Sequence, residues 1–368
     1  MTNVLLWGAL PSLPSNEPFE LTFKRSGENI GNLLIGNGVC SILKGYQYIF
    51  RDQVESPEHA QEVCSRIVIP AANFLWKSFD FGLMADFIEK TDLPVTMIGL
   101  GAQASNRSQV STIHPNTLRL VRLISERSPS IGVRGFYTAE VLAAHGIMNV
   151  EVLGCPSLYS NANPPSIIKS WSPDLEQRIS TNFSRNVSPH SFDCQALAKI
   201  ENKILRIAMS TNSQFVIQDE LDEANIKAGT ASAEQIKRVT TYFNESDSDE
   251  VASYFSMNSK YFTTYESWSE SLSQCSLSVG SRLHGNLVAL LSGVPAVCIV
   301  HDSRTLEMCA LTGVPFINIL EHSDISVDEL LEFASTLSFD RFISNMSFLY
   351  VKMAKFLSDH GLVHNLPV

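Results

Sequence analysis

The chain has 368 residues, of which 44% are hydrophobic and 18% are charged, a balance typical of a globular protein rather than a disordered one. A chain of this length suits two domains of ordinary size. The formal net charge of −11 argues against broad binding to nucleic acid or to anionic membranes, which requires a basic surface. A local cluster of arginines can still oppose that sign, so an anionic small molecule stays open as a ligand.

The cysteines and the apolar runs indicate the cellular compartment of the protein. The seven cysteines are odd in number and form no CxxC pair, which is typical of reduced core residues in a cytoplasmic protein. The first apolar run, residues 4–8, has no basic flank and predicts a buried strand rather than a signal peptide. No run approaches the roughly 20 apolar residues that cross a bilayer. We therefore expect a cytoplasmic protein without a transmembrane segment.

In the first half of the chain, short apolar runs alternate with helical patterns, which favours a parallel sheet. The loop SGENIGN at 26–32 opens a helix, and its glycines let the backbone approach a ligand closely. An ordinary turn is the alternative interpretation, and the glycine spacing is not that of a dinucleotide-binding loop. Two later strands end at Gly101 and Arg134, which are further candidate positions.

The second half follows a stretch rich in Ser, Asn and Pro at 155–173, which predicts a linker. Residues 178–185 then predict a strand that runs into a polar loop, and this loop contains Arg185. A helix at 192–202 and a strand at 205–209 are predicted next.

Residues 277–302 carry the most informative pattern: a strand, a Gly-Ser break, a helix, a Gly-Val-Pro turn and a second strand. In such a unit, ligands bind at the carboxyl end of the strand, where the helix begins. Arg282 and His284 stand there, and a guanidinium suits a phosphate or carboxylate while an imidazole moves protons near neutral pH. The alternative interpretation is that Arg282 pairs with an acidic neighbour and that His284 caps the helix.

This motif resembles the signature of the polysaccharide pyruvyl transferase family. The strongest part of the resemblance is Ser281-Arg282-Leu283-His284-Gly285, with Ala289, Gly293-Val294-Pro295 and Asp302. Weaker matches occur earlier in the family's order, at Asn29–Asn32, Gly99–Gly101, Val133-Arg134, and Gly154 with Pro156. The chain departs from the family pattern at Asn32, Gly135 and Cys155, where the family usually has Asp.

The resemblance implies an α/β fold with two Rossmann-like domains facing across a cleft, similar to the GT-B architecture. The expected domains are 1–160 on the acceptor side, 176–340 on the donor side, and a helix at 341–368 that packs back on the first domain. The implied reaction moves the pyruvyl group of phosphoenolpyruvate onto a sugar as a ketal, in surface polysaccharide biosynthesis. The acceptor is a sugar or glycan, which can be lipid-linked. No metal and no cofactor are expected beyond this donor substrate, and the oligomeric state is not predicted.

In this interpretation His284 and Arg282 are the catalytic residues: Arg282 holds an anionic group of the donor and His284 transfers a proton. Arg134, Arg185 and Arg304 are candidates for a second anionic group, and each can equally be a solvated surface residue. The predicted substrate-binding residues are Ser281, Gly285, Asn286, Asn29, Gly31, Asn32, Gly101, Arg134, Asn182, Arg185, His301, Asp302 and Arg304.

Two other functions stay open from the sequence. A GT-B glycosyltransferase would use a nucleotide sugar and would be stabilised by a nucleotide diphosphate. A glycan-binding relative without catalysis would be consistent with the three missing carboxylates.

Overall fold

The computed structural model describes residues 2–102, 112–172, 178–186 and 191–367. The strands form two parallel sheets of six strands each. The strands of the first sheet are β1 Thr2–Leu6, β2 Tyr46–Phe50, β3 Arg66–Pro70, β4 Val95–Leu100, β5 Ile131–Val133 and β6 Val150–Val152. Those of the second are β7 Ile179–Asn182, β8 Gln214–Val216, β9 Ser259–Lys260, β10 Leu277–Gly280, β11 Ala296–Val300 and β12 Phe316–Asn318.

Helices connect these strands along the described part of the chain. The helices before the second sheet are α1 Phe19–Arg25, α2 Leu33–Ile42, α3 Pro57–Val63, α4 Gly82–Glu89, α5 Pro115–Arg127 and α6 Phe136–Ala144. Those that follow are α7 Cys194–Ser210, α8 Leu221–Ala228, α9 Ala233–Tyr242, α10 Ser248–Asn258, α11 Tyr265–Ser273, α12 Leu283–Leu291, α13 Ser303–Thr312, α14 Val327–Ser335 and α15 Asp340–Asp359.

The strand order is β2-β1-β3-β4-β5-β6 in the first sheet and β12-β11-β10-β7-β8-β9 in the second, and every pairing is parallel. Helices cover both faces of such sheets, so their central strands are apolar throughout. All six residues of β4 and all five of β11 are buried accordingly. These two doubly wound sheets confirm the predicted α/β class with Rossmann-like halves.

The chain divides into two compact units, and neither is continuous in sequence. The first unit comprises 1–11, 34–164 and 345–368, and the second comprises 12–33 and 165–344. The predicted N-terminal domain, 1–160, includes residues 12–33, which belong to the second unit. In the first unit, α15 packs on the turn that follows β6, where the Tyr350 hydroxyl donates to the carbonyl of Asn161 at 2.7 Å.

The predicted strand at 205–209 is wrong, because these residues continue α7. Buried side chains recur along α7 with helical spacing, at Leu197, Ile200, Ile204, Leu205 and Ala208. This spacing gives one apolar face, which helical packing buries and an extended strand would not. No helix in the described ranges has both the length and the apolar character that a membrane span requires.

Candidate functional site

The second sheet gathers polar side chains where four neighbouring strands end. β11, β10, β7 and β8 lie side by side, and the strand order reverses between β10 and β7. In an open parallel sheet, ligands bind beyond the carboxyl ends of the strands at such a switch point. The residues that stand there are Asn182 on β7, Gln218 after β8, Ser281 and Arg282 after β10, and His301 after β11.

Arg282 is buried in an ion cluster. Its Nη2 donates to the carboxylates of Asp219 and Glu220, the latter at 2.9 Å, and its Nε donates to the carbonyl of Phe183 at 2.8 Å. The pairing with acidic neighbours, one of the two interpretations from the sequence, is therefore present. Nη1 makes no hydrogen bond to a described residue. One edge of the guanidinium thus has no partner among the described residues, while the two carboxylates offset its charge.

Ser281 is held by a second buried carboxyl group, that of Glu201. The Ser281 hydroxyl and the backbone N–H of Ser184 both donate to Oε1 of Glu201, the latter at 2.7 Å. The Tyr242 hydroxyl donates to Oε2 at 2.7 Å. Burial raises the pKa of Glu201. This network fixes the first residue of the motif to α7 and α9, and nothing in the local sequence marks Glu201 for that role.

Asn286 is used by the fold itself. Its Oδ1 accepts from the Ser278 hydroxyl at 2.9 Å, and its Nδ2 donates to the carbonyls of Gly280 and Arg282 at 2.8 and 3.1 Å. These bonds tie the first turn of α12 to β10. Asn286 was predicted to bind substrate, but its side-chain amide joins the helix to the strand.

Asn182 and Gly285 lie against each other. Oδ1 of Asn182 accepts from the backbone N–H of Arg282 at 2.8 Å. A Cβ added to Gly285 would stand 2.6 Å from Nδ2 of Asn182, so only glycine fits at this point of α12. The structure thus brings two predicted residues into contact at the switch point.

His284 lies beside the SGENIGN loop, inside the second unit. The Asn29 side chain accepts from the Gly31 N–H at 2.8 Å, and the backbone N–H of Ile30 donates to the carbonyl of Gln218 at 2.8 Å. A Cβ on Gly31 would stand 2.5 Å from Nδ1 of His284 and 2.7 Å from Oε1 of Gln218. The loop predicted as a possible ligand loop therefore adjoins the imidazole.

Replacing Gly31 with alanine is expected to disturb this packing. The backbone of Gly31 is not left-handed, so a larger side chain is opposed by lack of space rather than by backbone strain. We expect Gly31→Ala to displace His284 and Gln218 and to lower the free energy of unfolding by about 1–3 kcal/mol. Denaturant unfolding measures the stability, and calorimetry measures any loss of donor binding.

Gly229 supplies the control for that substitution. It is left-handed with open space around its Cβ position. Gly229→Ala should therefore cost stability through strain and leave ligand binding unchanged. A Gly31→Ala protein that matches wild type in both stability and binding would contradict the packing argument.

His301, Asp302 and Arg304 mark the start of α13. Asp302 is the N-cap residue, and its carboxylate accepts from the Thr305 N–H at 2.7 Å and pairs with Arg304 at 3.2 Å. Burial alone would raise the pKa of Asp302, but Arg304, His301 and the Thr305 bonds lower it to about 2. Burial lowers the pKa of His301 to about 4, so this imidazole is neutral near pH 7.

The buried His301 is expected to make stability depend on pH. The unfolded chain takes up a proton on this histidine near pH 6.5, whereas the folded protein does so only near pH 4. The contribution of neutral His301 to the free energy of unfolding is therefore fully present above pH 6.5. It falls by about 3 kcal/mol as the pH drops towards 4. Urea unfolding across this range should show the loss in wild type and a smaller one in His301→Gln. The same substitution at the exposed His322 should leave the wild-type slope, and an equal slope in all three proteins would refute the assignment.

In the first unit, Gly101 and Arg134 are neighbours. Arg134 donates through Nε to the carbonyl of Gly99 and through Nη1 to Oδ1 of Asn73, both at 3.0 Å. A Cβ on Gly101 would stand 2.5 Å from the same Asn73 oxygen. These residues follow β3, β4 and β5, so the carboxyl end of the first sheet also collects polar groups.

Arg185 belongs to a buried ion network. Its guanidinium pairs with Glu223 at 2.7 Å and with Asp222 at 3.2 Å, and Asp222 pairs in turn with Arg238 at 2.8 Å. The side chain of Arg185 is 10% exposed. These contacts link the loop after β7 to α8 and α9. This structural role is sufficient to explain an arginine at position 185.

The three positions where the chain lacks the family's Asp have ordinary structural environments. Asn32 donates through Nδ2 to the carbonyl of Ser26 at 2.9 Å. Gly135 is the N-cap of α6, and Cys155 is buried before a short 3-10 turn.

The predicted residues thus form two groups. Asn29, Gly31, Asn182, Ser281, Arg282, His284 and Gly285 meet in the second unit, whereas Gly101 and Arg134 meet in the first. Sequence reasoning missed Gln218, Glu201 and Asn73. Gln218 and Asn73 lie two and three residues after the ends of β8 and β3, and that position was the available signal.

Comparison with known proteins identifies the sequence family. The family model described as polysaccharide pyruvyl transferase matches residues 29–303, which is most of the chain. The match includes both the SGENIGN loop from Asn29 onward and the motif that carries His284. A search of curated proteins finds no match to this chain.

Solved structures similar to the chain include a UDP-GlcNAc 2-epimerase, a HepE protein and a MurG protein. UDP-GlcNAc 2-epimerase from Methanocaldococcus jannaschii has 10% identity and a TM-score of 0.48, with 96% of this chain and 100% of that chain covered. Anabaena Alr3699/HepE, solved with UDP and glucose, has 10% identity and a TM-score of 0.44, with 98% of each chain covered. MurG from Acinetobacter baumannii has 10% identity and a TM-score of 0.35, with 96% of this chain and 95% of that chain covered. The fold assignment rests on the two parallel sheets themselves.

Proposed function

Because this chain belongs to the polysaccharide pyruvyl transferase family, we propose that it moves the pyruvyl group of phosphoenolpyruvate onto a sugar of a polysaccharide or its precursor. The position of His284 carries the proposal. It stands in the first turn of α12 at the switch point of the second sheet, beside Gly31 and Gln218. We assign the second unit to the donor and the first unit to the sugar acceptor.

The reaction requires two proton movements. Two sugar hydroxyls bond to the central carbon of the donor, and the bond from that carbon to the phosphate oxygen breaks. One hydroxyl proton is balanced by the proton that turns the enol methylene into a methyl group, and the other leaves with the phosphate. The product is a cyclic ketal that retains the carboxylate.

His284 is the group that we assign to proton transfer. An imidazole titrates near neutral pH, so it can give a proton to the enol carbon and take one back from an attacking hydroxyl. His284 is partly exposed, unlike the buried Asn286 two residues further along α12. Access for a substrate and position on a fixed helix are both required of such a group.

Arg282 contributes through Nη1, the edge of its guanidinium without a partner among the described residues. Nε and Nη2 are occupied by Phe183, Asp219 and Glu220, and Nη1 is directed to the donor in this proposal. The acidic pair orients the guanidinium and also lowers its net attraction for an anion. Its contribution is therefore a directed hydrogen bond rather than a strong local positive field.

A thermal-shift experiment tests the donor. Phosphoenolpyruvate should raise the unfolding temperature of the protein, since a ligand that binds only the native state stabilises it by RT ln(1 + [L]/Kd). The matched comparison uses UDP-glucose, UDP and inorganic phosphate at the same concentration. Stabilisation by the nucleotides but not by phosphoenolpyruvate would overturn the proposal in favour of a glycosyltransferase. If phosphoenolpyruvate does stabilise the protein, phosphate release from it on addition of a glycan would identify the acceptor.

A further inference from the structure

Two buried side-chain amides near α12 have N–H2 groups that find no partner within the described residues. They belong to Asn182, which is 0% exposed, and to Gln218, which is 1% exposed. A buried donor left unsatisfied costs about 1–3 kcal/mol. Such groups in a native protein call for an explanation, and a role in ligand binding is one.

The Asn182 amide has a fixed orientation. Its Oδ1 accepts from the Arg282 N–H at 2.8 Å, so the opposite side of the amide must present Nδ2. Nδ2 lies 2.6 Å from the position of a Cβ on Gly285, the third residue of α12. The unpartnered N–H2 group is therefore directed at the first turn of this helix.

The Gln218 amide adjoins the same turn. Its Oε1 and Nδ1 of His284 lie within 2.7 Å of one point, the Cβ position on Gly31. The amide and the imidazole are thus close neighbours. His284 and Gly285 are consecutive, so the two amides flank one turn of helix from two adjacent strands, β7 and β8.

The start of α12 adds further donors. Its N-cap residue is Arg282, whose side chain makes no capping hydrogen bond. The first backbone N–H groups of a helix lack partners inside the helix, and its N-terminus favours negative charge. Helix and amides together offer a set of neutral donors at one turn of α12.

The charge around these donors favours a monoanion. Asp219 and Glu220 already offset the Arg282 guanidinium, so a phosphate dianion would be placed beside two carboxylates. A carboxylate carries one charge over two oxygens that accept hydrogen bonds in one plane. We propose that Asn182, Gln218 and the first turn of α12 bind the carboxylate group of the donor, next to His284. The identity of that donor rests on the proposed function, but the carboxylate site does not.

Calorimetry on the full chain tests this site with phosphoenolpyruvate, pyruvate and inorganic phosphate as probes. Gln218→Glu keeps the shape of the side chain but replaces its N–H2 donor with a charged oxygen. We expect phosphoenolpyruvate and pyruvate to bind at least about tenfold more weakly, which corresponds to about 1.4 kcal/mol. The affinity for inorganic phosphate should change far less. Gln218→Met removes the donor without adding charge and should weaken the same two probes.

The control is Gln195→Glu, the same chemical change at an exposed position of the second unit, which should leave all affinities unchanged. Unchanged binding of phosphoenolpyruvate and pyruvate in a folded Gln218→Met protein would overturn the proposal. Equal weakening of all three probes would also overturn it, since the amides would then not be selective for a carboxylate. Wild-type protein that binds pyruvate but not phosphoenolpyruvate would refute the proposed donor and support the carboxylate site. Wild-type protein that binds neither would refute the site.

Discussion

Replacing His284 with alanine or glutamine is expected to lower turnover by at least about two orders of magnitude while the protein stays folded and binds donor. The imidazole is the one group at the switch point that we assign to proton transfer, and neither replacement can transfer protons near neutral pH. Turnover is measured as phosphate release from phosphoenolpyruvate in the presence of the glycan acceptor. Calorimetry with phosphoenolpyruvate measures donor binding separately.

Two controls make the His284 result interpretable. His322→Ala changes an exposed histidine of the same unit and should leave turnover unchanged. Urea unfolding shows whether the His284 variants are native, since a variant that melts would report packing against Gly31 instead of chemistry. A folded His284→Ala protein with wild-type turnover would remove this histidine from the mechanism.

The second large effect is expected at Glu201. Glu201→Ala removes the acceptor for the Ser281 hydroxyl and the Ser184 N–H, both buried, and for the half-buried Tyr242 hydroxyl. Each unsatisfied donor costs about 1–3 kcal/mol, and relaxation recovers part of the sum. We expect the free energy of unfolding to fall by about 3–5 kcal/mol, as measured by denaturant unfolding.

Tyr242→Phe is the matched partial variant, because it removes one donor and leaves the carboxyl group paired with the other two. It should cost about 1 kcal/mol. If Glu201→Ala were no more harmful than Tyr242→Phe, the carboxyl group would not be the anchor of the motif. A Glu201→Ala protein that stays folded but loses turnover would show that Ser281 positions the residues after it.

The sequence predicts those parts of the fold whose signals are local. Ser326 and Glu329 have the spacing of a capping box, and this box is present at the start of α14 because its two hydrogen bonds form within four consecutive residues. β10, α12 and β11 are likewise where the alternation of apolar runs and turn residues predicts them. The strand predicted at 205–209 fails because five consecutive apolar and mixed residues fit either period, and only the longer stretch of α7 reveals the helical one.

The site is less visible in the sequence, because its contacts join distant segments. Arg282 and Asp219 are far apart along the chain, and a buried arginine that pairs with an acid has the same local pattern as one that binds a ligand. The same is true of Arg185, whose partners lie on α8. Asn286 was a reasonable candidate beside His284, yet helix geometry turns it towards β10. Which of several polar residues faces a ligand depends on tertiary structure that local patterns do not contain.

The discontinuous composition of the two units has a consequence for how the protein is made. Residues 12–33 are synthesised before residues 165–344, but the backbone N–H groups of Ile30 and Leu13 donate to the carbonyls of Gln218 and Thr263. The SGENIGN loop therefore lacks these backbone partners until most of the second unit has been synthesised. The first unit is in turn completed only by residues 345–368. Such long-range closure slows folding, and premature termination anywhere before α15 would leave both units unfinished rather than one intact and one missing.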